Sequence, residues 1–171
     1  SINHSKPDFI FHLAAQSIVS KGYKSPLETF AINSMGTANL LDVILDIQFS
    51  GVAVMITSDK AYDNDKRKIG YTETDRLGGR DPYSASKAAA EIILSSYIRS
   101  YCMNRLKARI GIARAGNVIG GGDWNDDRVI VDCVKSWLVN DKVVLRNPHA
   151  TRPWQHVLEP ISGYLRLAQS L

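Results

Sequence analysis

Cysteine is nearly absent from this chain, with two in 171 residues, Cys102 and Cys133. They lie far apart, with no CxxC and no Cys/His ligand spacing, which excludes a disulfide framework and argues against a structural zinc site. A reducing compartment is the simpler expectation. Long apolar runs are missing too: none approaches the ~18 residues of a membrane span, and the opening S-I-N-H-S-K-P holds no signal-peptide core. A soluble, cytoplasmic protein is expected. Lys and Arg outnumber Asp and Glu, 21 to 17, for a net charge of +4, yet the basic residues form no block. The signature of a nucleic-acid-binding arm is therefore lacking. A surface that attracts phosphorylated small molecules accounts for the charge equally well. Internal repeats and low-complexity tracts are also absent.

What is present is ordinary globular composition, 44% hydrophobic and 22% charged, enough for one domain with a sizeable core. Asp8 to Ala15 is a short apolar run behind a proline, expected as a parallel strand buried on both faces. Leu40, Leu41, Ile44 and Leu45 recur at helical spacing within Pro26 to Ile47, and Val52 to Thr57 is again a β-branched apolar run. A polar stretch from Asp59 to Asp81 is too long for a simple connection, and long loops behind strands are usually functional. Pro82 suits a helix start, with a helix over Tyr83 to Tyr101 and a strand over Leu106 to Ala113. The alternation predicts a doubly wound α/β sheet, whose ligands sit beyond the carboxyl ends of the strands. Further helices are expected at Val129 to Leu138 and Glu159 to Leu171, with a short strand at Lys142 to Leu145.

Tyr83-Ser84-Ala85-Ser86-Lys87 places a phenol and an ammonium four residues apart, one turn apart on one helix face. A neighbouring ammonium favours the phenolate, which brings a tyrosine of reference pKa near 10 toward the working range of a base. Taken alone the spacing is weak, because exposed helices produce it by chance. Its setting, opening a helix after a long loop behind a core strand, strengthens it. Thr57-Ser58-Asp59-Lys60 stands at the end of that strand, 24 positions before Tyr83.

Together these residues resemble the nucleotide-sugar 4,6-dehydratases of the extended short-chain dehydrogenase/reductase superfamily. The resemblance implies an NAD-binding Rossmann-like fold and covers almost the whole chain. It assigns catalysis to Ser58, Asp59, Lys60, Tyr83 and Lys87. Ser58 would orient the sugar's 4-hydroxyl, Tyr83 would take its proton, Lys60 would remove the hydrogen of carbon 5, and protonated Asp59 would assist loss of the 6-hydroxyl. The Asp-Lys pair, where other branches have Asp-Glu, is similar to the branch acting on CDP-glucose. Adjacent Asp59 and Lys60 are expected to point apart or to titrate as a coupled pair, since an ordinary ion pair puts both in the wrong states.

The segment His12-Leu13-Ala14-Ala15-Gln16-Ser17 resembles the stretch beneath the cofactor, which adds Leu13, Ala14, Ala15 and Gln16 to Thr57, Tyr83, Lys87 and Arg114 as cofactor-binding candidates; core packing is the plainer account of the alanines. Asn33 matches a structural helix asparagine. Ser17, Asn117 in R-A-G-N-V-I-G, Arg128, and Arg152 in R-P-W-Q-H-V are the substrate-binding candidates. Arg128 would meet nucleotide or phosphates, and Arg152 the diphosphate, for which a guanidinium offers paired donors. Arg146 and His156 are expected to be solvated.

Residues 1–115 are expected to form the C-terminal part of the NAD-binding domain, and 116–171 the substrate-binding segments and return helices. No Gly-rich pyrophosphate turn precedes Asp8, so the chain reads as the middle of a longer protein and is expected to bind NAD weakly by itself. The helices near Asn33 to Ile47 and Tyr83 to Tyr101 carry apolar residues around more circumference than one sheet covers. A homodimer through a four-helix bundle is expected, as in the family. Two alternatives stand beside the dehydratase: another nucleotide-sugar enzyme such as a UDP-sugar 4-epimerase, and a non-catalytic nucleotide-sugar-binding scaffold.

Overall fold

The computed structural model describes residues 2–65, 67–101 and 107–171. After a one-turn helix α1 (Ile2–Ser5), three strands, β1 (Phe9–His12), β2 (Val52–Ile56) and β3 (Arg109–Ala113), form a parallel sheet in the order β1-β2-β3. Phe9 pairs with Val52 and Val52 with Arg109, so the three carboxyl ends share one edge. Parallel neighbours need long crossovers. Helices α2 (Val19–Lys24), α3 (Pro26–Phe30) and α4 (Gly36–Asp46) make the first, with a π-helical turn, Ala31–Met35, joining the last two. Helix α5 (Pro82–Tyr101) makes the second. Beyond β3 come β4 (Asn117–Ile119), α6 (Val129–Leu138), β5 (Trp154–His156) and α7 (Leu158–Ser170).

Strand alternation sorts the core into two layers. Ala53 and Met55 face Leu41, Ile44 and Leu45 of α4 and Leu94 of α5. Val52 and Val54 face the opposite way, against Ala168, Tyr164 and Leu167 of α7. Burial of each large side chain contributes about 1.5–3 kcal/mol, so the two helical layers together hold the sheet. Gly111 lets α7 come close: a Cβ there would lie 2.8 Å from Leu171 Cδ1 and 3.0 Å from Leu167 Cδ2.

Helix α5 starts where its own sequence stops the preceding loop. Asp81 caps it, accepting the Ser84 N–H at 3.0 Å and the Ser84 hydroxyl at 2.5 Å, and Pro82 occupies the first helical position, where its missing N–H costs nothing.

Two expectations need correction. The run Asp8 to Ala15 is not buried on both faces: among the described residues β1 has a strand on one side only, α7 packs on β2 and β3, and Phe9 is 51% exposed. Lys142 to Leu145 forms no strand, and Val144 is exposed. The second sheet is instead a parallel pair, β4 with β5, in which Asn117 faces Trp154. Leu106 and Cys102 lie outside the described residues, and Cys133 is a free thiol. Among the described residues, no helix is long and apolar enough to cross a membrane.

Candidate active site

Where β2 ends, Thr57 extends the ladder by donating its N–H to the Ala113 carbonyl at 2.8 Å. Ser58, still extended, caps a 3-10 turn over Asp59–Ala61. Its hydroxyl accepts the Lys60 N–H at 3.2 Å and donates to Asp59 Oδ1 at 3.1 Å. The Asp59 N–H is fixed in turn by the Ala115 carbonyl at 3.0 Å. Tyr83, in the first turn of α5, stands close enough to Ser58 for that side chain to act on its phenol. Lys87, one turn further, donates its ammonium to the Ile56 carbonyl at 3.3 Å. Tyr83 and Lys87 are both buried, at 8% and 7% exposure, whereas the other described lysines are at the surface or half-buried. The structure thus brings all five expected catalytic residues to one strand end.

The electrostatics differ from expectation in one respect. Burial pushes the Tyr83 phenol above its ordinary value; the Ser58 hydrogen bond opposes this, Asp59 and Asp81 reinforce it, and Arg128 opposes it. Arg128 is a cation that acts on the phenol, and the Lys87 ammonium donates to the Ile56 carbonyl. Burial also lowers Lys87, with Glu91 opposing. Of the two arrangements expected for Asp59 and Lys60, pointing apart is not the one found: Lys60 Nζ lies 3.7 Å from Asp59 Oδ1.

Leu13 and Ala14, just beyond β1, are exposed, and the short alanine side chains leave the backbone open beside the end of β2. A flat ring needs such a surface, so the residues present fit the nicotinamide side of a dinucleotide. The shape of this wall is set by Asn33 in the π-helical turn. Its Oδ1 accepts the Gln16 N–H at 2.8 Å, and its Nδ2 donates to the Gln16 carbonyl at 3.0 Å and to Ser86 Oγ at 2.8 Å. One buried amide ties the strand-end loop to α5, the structural role expected of Asn33. His12 is lowered by burial and then by the nearby Lys87 charge, which favours neutral imidazole.

Three of the proposed cofactor contacts are taken up within the protein. The Gln16 amide donates to Thr29 Oγ1 at 2.9 Å and accepts the Ile18 N–H at 2.6 Å, which leaves only its backbone environment to shape a ligand surface. The Thr57 hydroxyl donates to Glu91 Oε1 at 2.6 Å. Arg114 is committed to Glu91, through Nε at 2.8 Å to Oε1 and through Nη2 to Oε2, and its guanidinium is raised by that carboxylate.

Of the substrate candidates, Ser17 and Arg128 come together, Arg128 Nη2 lying 3.4 Å from Ser17 Oγ. Arg128 Nε is buried without a hydrogen bond and faces Asp123 at 3.6 Å. Asn117 Oδ1 is likewise buried and lacks a partner among the described residues, and a buried acceptor left in that state costs free energy until a donor arrives. Arg152 is exposed and donates to the Thr151 carbonyl at 2.7 Å. Arg146, expected to be solvated, pairs with Asp127 and with Asp132 at 3.0 Å. His156, in β5, accepts the Leu158 N–H at 3.3 Å.

Glu91 is the residue that sequence reasoning missed. It is 1% exposed and stands on α5 at the spacing 83, 87, 91, the same helix face as the Tyr-Lys pair. A carboxylate continuing that stripe was the available signal.

The family model described as GDP-mannose 4,6 dehydratase matches residues 1–170. Over its full length the chain is 47% identical to CDP-glucose 4,6-dehydratase of Salmonella typhimurium and covers 49% of that protein. It is 30% identical to GDP-6-deoxy-D-mannose reductase of Pseudomonas aeruginosa, with 94% of this chain and 53% of that one matched. Among solved structures, dTDP-glucose 4,6-dehydratase DesIV of Streptomyces venezuelae, with NAD and TYD bound, superposes with a TM-score of 0.83 at 27% identity, over 95% of this chain and 49% of the other. The chain thus spans about half the length of the curated relatives it matches. The shared parallel sheet, the tyrosine and lysine buried at its carboxyl edge, and a match across nearly every residue establish that this chain belongs to the GDP-mannose 4,6 dehydratase family of extended short-chain dehydrogenase/reductases.

Proposed function

We propose that the whole protein carrying this chain dehydrates CDP-glucose to CDP-4-keto-6-deoxy-glucose with NAD as a recycled cofactor. The observation that supports this reading most is the burial of Ser58, Tyr83 and Lys87 together at the end of β2, with Asp59 and Lys60 in the very next turn. The 47% identity to a CDP-glucose enzyme favours that nucleotide. When bound, NAD supplies a hydride acceptor for carbon 4 of the sugar and the hydride that is returned to carbon 6.

The chain's own residues handle protons and position. Ser58 donates to the 4-oxygen, and Tyr83 takes its proton. A 4-ketone acidifies the hydrogen of carbon 5; Lys60 removes it as Asp59 delivers a proton to the departing 6-hydroxyl, and water leaves. Each of these needs its partner released: the Asp59–Lys60 contact at 3.7 Å has to open as the sugar enters between the two groups. Ser17, Arg128 and Asn117 meet the sugar nucleotide, with Asn117 Oδ1 accepting from it, and the exposed Arg152 pairs with the diphosphate. Residues 1–115 carry the catalytic layer and 116–171 the substrate-facing segments. The whole protein is a cytoplasmic homodimer, joined through α4 and α5, where Val43 and Ile92 are exposed.

Incubation of the whole protein with CDP-glucose and NAD tests the reading. A product with the ultraviolet absorbance of a 4-keto-6-deoxy sugar in base is expected, and its loss in Lys60→Ala. Undiminished turnover in that variant rules out the lysine base. A second reading, a 4-epimerase, draws support from the Asp59–Lys60 ion pair itself, because an epimerase needs no acid and base there. A C4-epimeric sugar nucleotide in place of the keto sugar selects it.

A further inference from the structure

The segment that carries the proposed acid and base, Thr57–Tyr62, is held at both ends by one buried carboxylate. At its start, the Thr57 hydroxyl donates to Glu91 Oε1 at 2.6 Å. At its far end, the Tyr62 ring lies 4.6 Å beneath the Arg114 guanidinium, measured to the ring centroid. Arg114 closes the circuit by gripping both oxygens of the same Glu91, whose side chain is 2% exposed. The residue after Arg114 also contributes, since the Ala115 carbonyl receives the Asp59 N–H at 3.0 Å. Tyr62 is stacked in turn on Tyr71, with centroids 4.9 Å apart, and Arg67 covers the outer face of Tyr71 at 4.1 Å. A guanidinium over an aromatic face gains further attraction when partly desolvated, and bidentate pairing fixes the plane in which it lies.

We infer that Glu91, Arg114 and Tyr62 are positioning residues that set the placement of the Asp59–Lys60 turn relative to Ser58 and Tyr83. They touch neither the sugar nor the phenol; they act through the two ends of the segment. The inference rests on the reading of Asp59 and Lys60 as acid and base. It also gives Arg114 a place different from the cofactor contact that family resemblance implies. The Thr57 end is pinned by the sheet ladder and the far end only by the isolated Tyr62–Leu77 bridge and its flanking bonds, so loss of the Arg114–Tyr62 arm shifts the Asp59–Lys60 end more than the Ser58–Tyr83 end. Oxidation at carbon 4 and elimination across carbons 5 and 6 therefore respond differently.

The test uses the whole protein with Arg114→Lys, Tyr62→Ala and Tyr62→Phe. Lysine keeps the charge and loses the planar fork; phenylalanine keeps the stacking face. Amide hydrogen exchange of Asp59–Tyr62, followed by mass spectrometry without substrate, is expected to accelerate in Arg114→Lys and Tyr62→Ala and to stay at the wild-type rate in Tyr62→Phe. With CDP-glucose, a misplacement of about 1 Å lowers elimination on the order of 10²-fold. Oxidation, read as reduced-nicotinamide absorbance in a single turnover, is expected to hold within about threefold, so reduced cofactor builds up in the two disrupting variants. Unchanged exchange in both disrupting variants, or equal losses in the two steps, overturns the inference. Should Arg114→Lys fail to fold, the half-buried Tyr62 pair decides. A wild-type protein inert toward CDP-glucose sinks the dehydratase reading alone, and the exchange comparison still decides whether the clamp exists.

Discussion

Gly79 offers the sharpest way to perturb Tyr83, the proposed base, without touching it. A Cβ at this position would sit 2.3 Å from the Ala85 nitrogen and from the Ser84 carbonyl carbon, and 2.5 Å from Ser84 Cβ. These are mainly backbone atoms of the first turn of α5, so no side chain can rotate away. Ordinary contact begins near 3.4 Å, so the loop and the helix must separate by about 1 Å. Overpacking of this kind costs about 1–3 kcal/mol. The larger effect is on chemistry: Tyr83 adjoins Ser84, and a displacement of about 1 Å lowers turnover on the order of 10²-fold. Gly79→Ala is therefore expected to keep the fold, with a modestly lower melting temperature, while nearly abolishing activity. Gly70→Ala is the control, because no atom lies within 4 Å of its Cβ. Equal melting and turnover for the two variants in parallel assays would refute the idea that loop-to-helix contact places the phenol.

Three further outcomes are expected. Asn33→Leu leaves the buried Gln16 N–H and carbonyl unpaired, and denaturant unfolding should register a loss of about 2–4 kcal/mol. His12 is lowered from 6.5 in the folded state, so the native protein binds fewer protons than the unfolded chain; stability present above pH 6.5 is lost as pH falls through the folded value, and His12→Gln should flatten that slope in melts taken across this range. Gly111→Ala meets only the mobile ends of Leu167 and Leu171, so its unfolding free energy should drop by about 1 kcal/mol and not more.

How much of the fold and the site was legible in the sequence depended on whether local chemistry decided it. Helix α5 begins at Pro82 and α6 spans Val129–Leu138 as expected, because capping, proline and apolar spacing act within a few residues. That Ser58 and Tyr83 come together at one strand end was legible for the same reason, each motif being contiguous. Long-range partners were not. The run Lys142 to Leu145 has strand composition but forms no strand, whereas Trp154–His156, next to a proline and ending in histidine, pairs with β4. Arg114 reads as a ligand-binding arginine until Glu91 is found 23 residues earlier in the chain and in contact with it. The Asp59–Lys60 contact depends on rotamers, which no spacing rule specifies.

A single stripe along α5 explains why the chemistry gathers where it does. Its sheet-facing residues pass from Tyr83, Lys87 and Glu91 near the start to Leu94 further on, polar at one end and apolar at the other. A crossover helix runs antiparallel to the strands it joins, so its first turns meet their carboxyl ends. The polar end of the stripe therefore meets Ile56, Thr57 and Ser58, and the apolar end packs on the strands themselves. This arrangement also bears on the phenol. Burial raises Tyr83, and the Lys87 ammonium donates to the Ile56 carbonyl. The first turn of a long helix carries unpaired N–H groups and the positive end of its dipole, which favour a nearby negative charge. Tyr83 stands in that turn, but Asp81 caps it by accepting the Ser84 N–H, and its carboxylate raises the phenol against the pull of the dipole.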